Sequence, residues 1–181
     1  DALVSNGGGN NTIFYTSPDV MEGLSITASW NPAAAAGVNS MLGLGASYTG
    51  IDGLTVGAAT GENNAAAASL DITNMYIKYA MDSFTVGYTA SESDSETANA
   101  DKDFTAMGIS YAVSEETSVS INSSKISYEN SSLSDQEATG LSVSHVMGSM
   151  TLKAAHNSVD NIAGTASDDR SGYDLSLAFA F

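Results

Sequence analysis

Ser171–Phe181 reads SGYDLSLAFAF, and its alternation narrows how the rest of the chain can be built. Tyr173, Leu175, Leu177, Phe179 and Phe181 are large and apolar, while Gly172, Asp174, Ser176, Ala178 and Ala180 between them are small or polar. A period of two sends these two sets to opposite faces of a β-strand, whereas helical spacing would scatter them around a cylinder. A soluble edge strand avoids such a row of exposed apolar groups. Lipid against one face accommodates it, and so does the core of a β-sandwich. Taken alone, the stretch leaves both open.

The same two-faced pattern recurs up the chain. Leu24, Ile26, Ala28 and Trp30 oppose Ser25, Thr27 and Ser29; Leu42, Leu44, Ala46 and Tyr48 oppose Gly43, Gly45 and Ser47. Met75, Ile77 and Tyr79 oppose Tyr76, Lys78 and Ala80, and Phe84, Val86 and Tyr88 oppose Thr85, Gly87 and Thr89. Met107, Ile109, Tyr111 and Val113 form the apolar side of another candidate, and eleven strands are expected in all. Within Thr117–Tyr128 the apolar parity slips between Ile121 and Ile126, which predicts a β-bulge near Ser123. Asn31–Ile51 carries no charge over a length that could span a bilayer as a helix, but Pro32, its glycines and its period of two make it strand and loop.

The connections decide what the stretch left open. Short turns fall near 17–23, 49–53, 81–83, 114–116 and 147–149, and long loops near 31–40, 61–73, 92–102, 129–137 and 159–170. Short turns at one end and long loops at the other are the wiring of a transmembrane β-barrel, and a sandwich has no reason to keep that order through five hairpins. A hairpin period could also mark a solenoid or propeller, but no blade or short β-helix signature is present. Strands heading into short turns end in an outward aromatic, namely Tyr15, Tyr48, Tyr79, Tyr111 and finally Phe181; His145 takes that place once. Trp30, Tyr88 and Tyr128 sit at the other ends and are expected to form the opposite girdle. Rings at a common level are what a membrane interface selects. The fold class expected is therefore all-β, an antiparallel transmembrane barrel wall.

Composition removes several function classes. The chain has 181 residues, with 21 acidic residues against 5 basic ones and a formal charge of −16. That balance argues against nucleic acid, whose binding relies on basic contacts to phosphate. There is no Cys, so disulfides, thiolate metal sites and a Cys nucleophile are excluded. Ser144 and His145 are adjacent, but neighbouring strand residues point to opposite faces and cannot pair as nucleophile and base. No P-loop or dinucleotide-binding glycine pattern occurs, so neither an enzyme activity nor a cofactor is expected. The chain opens on Asp1 with no basic-then-apolar leader, which is read as a mature form or a fragment.

Asn10–Gly23 reads NNTIFYTSPDVMEG. Through Asn11, Ile13, Tyr15, Ser17, Pro18 and Gly23 it is similar to the stretch that follows the inward-folded third loop in general Gram-negative porins, the trimeric sixteen-stranded diffusion channels. The closing strand resembles that of bacterial outer-membrane barrels, whose terminal aromatic is read by the insertion machinery; here Tyr173, Phe179 and Phe181 would carry that signal. The resemblance implies that residues 1–11 end the constriction loop. Residues 12–181 would then be the wall, strands six to sixteen of sixteen, from the C-terminal part of a longer porin. It also implies an outer-membrane location, lipid contact and a homotrimer. Phe14 departs from the pattern, standing where the family often has an inward Arg.

The expected site is the polar face. Phe14, Lys78, Thr85, Lys125, Lys153 and Asp174 are expected to line a pore, where charges set ion preference through the local field. Acids gather in or beside the long loops, among them Glu92, Asp94, Glu96, Asp101, Asp103, Asp168 and Asp169. They predict a negative vestibule that concentrates cations, so the expected traffic is small hydrophilic solutes with cations preferred. Asp168 and Asp169 offer oxygen ligands to Ca²⁺ or Mg²⁺ but lack the spacing of a recognised motif, and a solvated acidic loop is the plainer reading. The rival reading is a non-channel barrel serving as an adhesin or anchor. It differs by a lumen plugged with bulky or charged groups, and the inward positions here are small.

Overall fold

The structure, a computed structural model, describes residues 12–32, 40–64 and 69–180. One antiparallel sheet holds eleven strands: β1 (Ile13–Thr16), β2 (Leu24–Asn31), β3 (Ser40–Ile51), β4 (Leu54–Asn64), β5 (Leu70–Met81), β6 (Phe84–Ser95), β7 (Lys102–Ala112), β8 (Thr117–Tyr128), β9 (Gln136–Met147), β10 (Met150–Asp160) and β11 (Arg170–Phe179). Sheet order equals chain order, so every strand pairs with its sequence neighbours, and β1 and β11 form the edges. Residues 1–11 and Phe181, for which a loop end and a girdle position are expected, lie outside the described residues.

The connections alternate as the sequence predicts. On one side β3–β4, β5–β6 and β9–β10 turn through two residues each, 52–53, 82–83 and 148–149. Such turns need left-handed backbone. Gly53 supplies it at φ 73°, where a Cβ would also run into the Ala80 carbonyl oxygen; Asp82 supplies it at φ 50°. The connections on the other side run 32–39, 65–69, 96–101, 129–135 and 161–169.

Two expectations need correcting. The strands run further toward the long loops than the apolar alternation does, with β4 reaching Asn64, β5 starting at Leu70 and β6 reaching Ser95. Backbone ladders continue there although the side chains no longer alternate between apolar and polar. The bulge expected near Ser123 is also absent. β8 pairs without a register shift from Ser118 to Tyr128 against β7, and from Thr117 to Ile126 against β9. The parity slip is in the side chains, not in the backbone.

Among the described residues no hydrophobic core lies behind this sheet. Among the described residues Ala59 is the only buried apolar side chain. One face carries the large apolar residues with about half of each side chain uncovered: Met107 is 54% exposed, Ile109 44% and Leu141 55%. An ordinary sheet covers such a face with a second layer. Here each interior strand is hydrogen-bonded on both sides along its ladders, which is the condition for a strand to sit in lipid.

Candidate functional site

The register sorts every strand residue onto one of two faces. Ile109 stands between Val86 and Ile121, and Ile121 in turn faces Leu141. One residue along, Ser110 stands between Thr85 and Ser120, and Ser120 faces Ser142, with the two hydroxyls 2.7 Å apart. The polar face is the crowded one. A Cβ at Gly45 would lie 2.8 Å from Thr27 Oγ1, one at Gly140 would lie 2.8 Å from Asn157 Oδ1, and one at Gly57 would run into the Tyr76 ring. Side chains converge on the concave side of a curved sheet and splay on the convex side, so the polar face is the inner one and the apolar face the outer.

Phe14, Lys78, Thr85, Lys153 and Asp174 all take the polar face. Phe14 faces Ser29, and Lys78 faces Thr55 and Gly87. Thr85 faces Ser110, Lys153 faces Ser144 and Ser176, and Asp174 faces Ala155. Lys78 begins a cross-strand row that continues through Gly87, Gly108, Asn122, Gly140 and Asn157, and beside it a Cβ at Gly87 would meet nothing closer than the Ile77 carbonyl oxygen at 3.8 Å. Neither Lys78 nor Lys153 makes an ion pair among the described residues.

Lys125 does not join them. It faces Thr105 and Glu137 in unbroken register with Ile121, which places it on the apolar side. Its Nζ lies 2.7 Å from Asp135 Oδ2 and 4.0 Å from Glu137 Oε1. Its ammonium holds the exposed Asp135 carboxyl below the ordinary carboxylate range. The bulge expected at Ser123 is what had turned Lys125 inward.

The acids are corrected in the same way. Glu92, Asp94 and Asp103 lie in strands rather than loops, and all three share the face of Tyr88 and Met107. Glu62, Asp71, Glu137 and Asp160 occupy the same face at the same end of their strands. From β4 to β9 each strand follows its apolar run on that face with Ala, Ser or Thr and then a charged residue, and β10 does the same with His156 interposed. Only the loop members of the expected vestibule stay off the wall. Glu96 Oε2 accepts from Ser69 N at 3.1 Å and Asp101 Oδ1 from Ser95 N at 2.7 Å. Asp168 Oδ1 lies 3.7 Å from Arg170 Nε, and Asp169 Oδ1 accepts from Asn161 N at 2.9 Å. Among the described residues no group of three or more His or carboxylate side chains is arranged to hold a metal.

Two polar-face cations were missed by the sequence reading. Lys102 faces Ser93 and Tyr128, with its Nζ 5.8 Å from the Tyr128 ring centroid, and Arg170 faces Val159. Counting parity past the last apolar residue, from Ser110 to Lys102 and from Asp174 to Arg170, would have found both. Tyr128 thereby leaves the expected outer girdle for the inner face. Tyr15, Trp30, Tyr48, Tyr79, Tyr88 and Tyr111 keep the apolar face, the last with its ring centroid 4.5 Å from that of Phe84. His145 shares that face, its Nδ1 2.8 Å from Thr117 Oγ1. Tyr173 and Phe179 take the apolar face of β11, where the Tyr173 ring meets that of His156 at 4.6 Å between centroids with the planes tilted by 47°.

Residues 2–161 match a family model described as Gram-negative porin. By sequence, no curated protein matches the chain. Among solved structures, an anion-selective porin from Comamonas acidovorans superimposes with a TM-score of 0.76 at 13% identity, covering 95% of this chain and 60% of that one. OmpT, an outer membrane protein of Vibrio cholerae, superimposes with a TM-score of 0.69 at 12% identity, covering 93% and 63%. A porin refined at 1.8 Å gives a TM-score of 0.70 at 16% identity, covering 94% and 61%. The chain thus spans a little over three fifths of the length of the structures it resembles.

Proposed function

The chain belongs to the Gram-negative porin family, and from that premise we propose that it forms part of the wall of a water-filled outer-membrane channel. Ions and small hydrophilic solutes would cross by passive diffusion, with no reaction and no cofactor. The observation that carries this reading is the pairing of the two faces. The outer one offers lipid a run of unburied Leu, Ile, Val, Met and aromatic groups. The inner one offers water Ser, Thr, Gly and Asn with a few unpaired charges. A plugged barrel acting as an adhesin or anchor would fill the inner face with bulk, and Gly87, Gly108 and Gly172, where an added Cβ would meet nothing closer than 3.6 Å, are the reverse of that. The family resemblance supports a homotrimer, and the β11 pattern supports recognition by the insertion machinery.

The cation preference expected from the acids loses most of its support. Glu92, Asp94 and Asp103 stand on the outer face, and only loop carboxylates such as Glu96, Asp101, Asp168 and Asp169 remain to bias the mouth. The test of the channel itself is reconstitution of the protein that carries this chain into liposomes, with swelling measured in sugars of increasing size. Swelling that falls with sugar size supports the reading. Liposomes no more permeable than protein-free ones overturn it.

A further inference from the structure

Strand charges are segregated across this sheet. Apart from Lys125, every basic side chain of the strands, Lys78, Lys102, Lys153 and Arg170, takes the inner face, where Asp174 is the sole carboxylate. The strand carboxylates otherwise take the outer face, each directly across a ladder from another charge, as Asp71 is from Asp94, Glu92 from Asp103 and Glu137 from Asp160. Of the 21 acidic residues, seven thus stand on the outer face of the strands and one on the inner, and the other 13 lie outside the strands, so little of the acidic charge belongs to the lining of the wall.

We propose that these inner-face cations make this section of the wall attractive to small anions, so that it biases the channel toward anion passage. The inference rests on the channel reading above and adds a substrate class to it. Lys78 and Lys153 carry most of the effect, because neither is paired and both stand three residues from a short turn, at the same end of their strands. Lys102 lies near the Tyr128 ring and Arg170 near Asp168, so their charges are partly answered. Asp174 is two residues along β11 from Ser176, the partner of Lys153, yet forms no ion pair with it. A charge on the inner face acts on an ion within about one Debye length, roughly 8 Å at physiological salt, whereas outer-face carboxylates are separated from the lumen by the sheet itself.

The experiment is the reversal potential of the channel in planar bilayers under a tenfold KCl gradient. The double variant Lys78→Gln/Lys153→Gln should shift the chloride-to-potassium permeability ratio toward potassium by about twofold or more. Lys78→Arg/Lys153→Arg, which keeps the charges, should retain the starting ratio, and so should the outer-face pair Glu62→Gln/Asp160→Asn. A conducting Gln variant with an unshifted ratio overturns the inference and leaves the channel reading standing. An equal shift in the outer-face variant also overturns it. A starting protein that inserts but conducts nothing overturns the channel reading itself.

Discussion

Ile109 and Ser110 are consecutive residues that meet different solvents. Ile109 sits among Val86 and Ile121 on a face that no described residue covers, and Ser110 sits among Thr85 and Ser120 on the polar, inner face. In a soluble sheet the apolar face would be the stabilised one and the polar face the tolerant one, because only the first would be packed. Here neither is packed against a second layer. What separates them is the medium each requires, lipid on one side and water on the other. A slip of register by one residue would present Lys78 and Lys153 to lipid and Ile109 to water, which is why the pairing runs with so few irregularities.

The largest effect comes from asking each face to accept the same charge. Ile109→Lys should destabilise the folded protein by about 2–4 kcal/mol, the cost of a lysine near the middle of an apolar band in lipid. Ser110→Lys should change stability by much less, since that side chain reaches water. Equilibrium unfolding in urea, followed in lipid vesicles, measures both. Equal losses would mean that the two faces share one environment.

A smaller effect shows that the inner face is open without being uniformly roomy. Gly57→Ala should cost about 1–3 kcal/mol, the usual range for overpacking, because the new methyl meets the Tyr76 ring. Gly87→Ala should cost little, since the nearest atom to its Cβ would be the Ile77 carbonyl oxygen at 3.8 Å. The same unfolding measurement in the double variant Gly57→Ala/Tyr76→Ser should recover most of the loss. If Gly57→Ala is as mild as Gly87→Ala, Tyr76 is free to leave its place over the glycine.

How much of this was legible in the sequence follows from the same comparison. Between the short turns and the Thr73 and Thr105 level, apolarity marks the outer face, so strand identity, turn placement and the positions of Lys78, Lys153 and Asp174 could be read by alternation. Beyond that level the outer face meets water and the rule inverts. Glu92, Asp103 and Lys125 point out, while Ile72, Phe104 and Ile126 point in, with Phe104 and Ile126 directly paired across β7 and β8. Reading Ile126 as outward forced a bulge that the backbone does not have, and it turned Lys125 and Tyr128 to the wrong sides. The acids were misplaced for a related reason: their charge suggested loops, although the ladders run on beneath them. Parity counted within each strand from Met75, Tyr88, Met107 or Ile121, without regard to polarity, recovers every one of these positions.

The smallest effect belongs to the strand ends, where both faces meet water and hydrogen bonds rather than solvent preference hold the chain. Glu96 Oε2 accepts from Ser69 N, and Glu96 N donates to the Ser69 carbonyl oxygen, both at 3.1 Å, tying the approach to β5 to the exit from β6. The amide donated by Ser69 favours the ionised form of Glu96 and lowers its carboxyl below the ordinary value. A depressed folded-state value means that the tie is fully present above the ordinary carboxylate value and is lost as pH falls below it through the lowered folded-state value. The Ser69 amide should therefore exchange with solvent faster, relative to its intrinsic rate, at the acid end of that window, and Glu96→Gln should remove most of the pH dependence. Amides in the middle of β5 and β6, whose ladders contain no such carboxylate, should keep their protection throughout. If they lose it together with Ser69, acid acts on the whole wall and not on its ends.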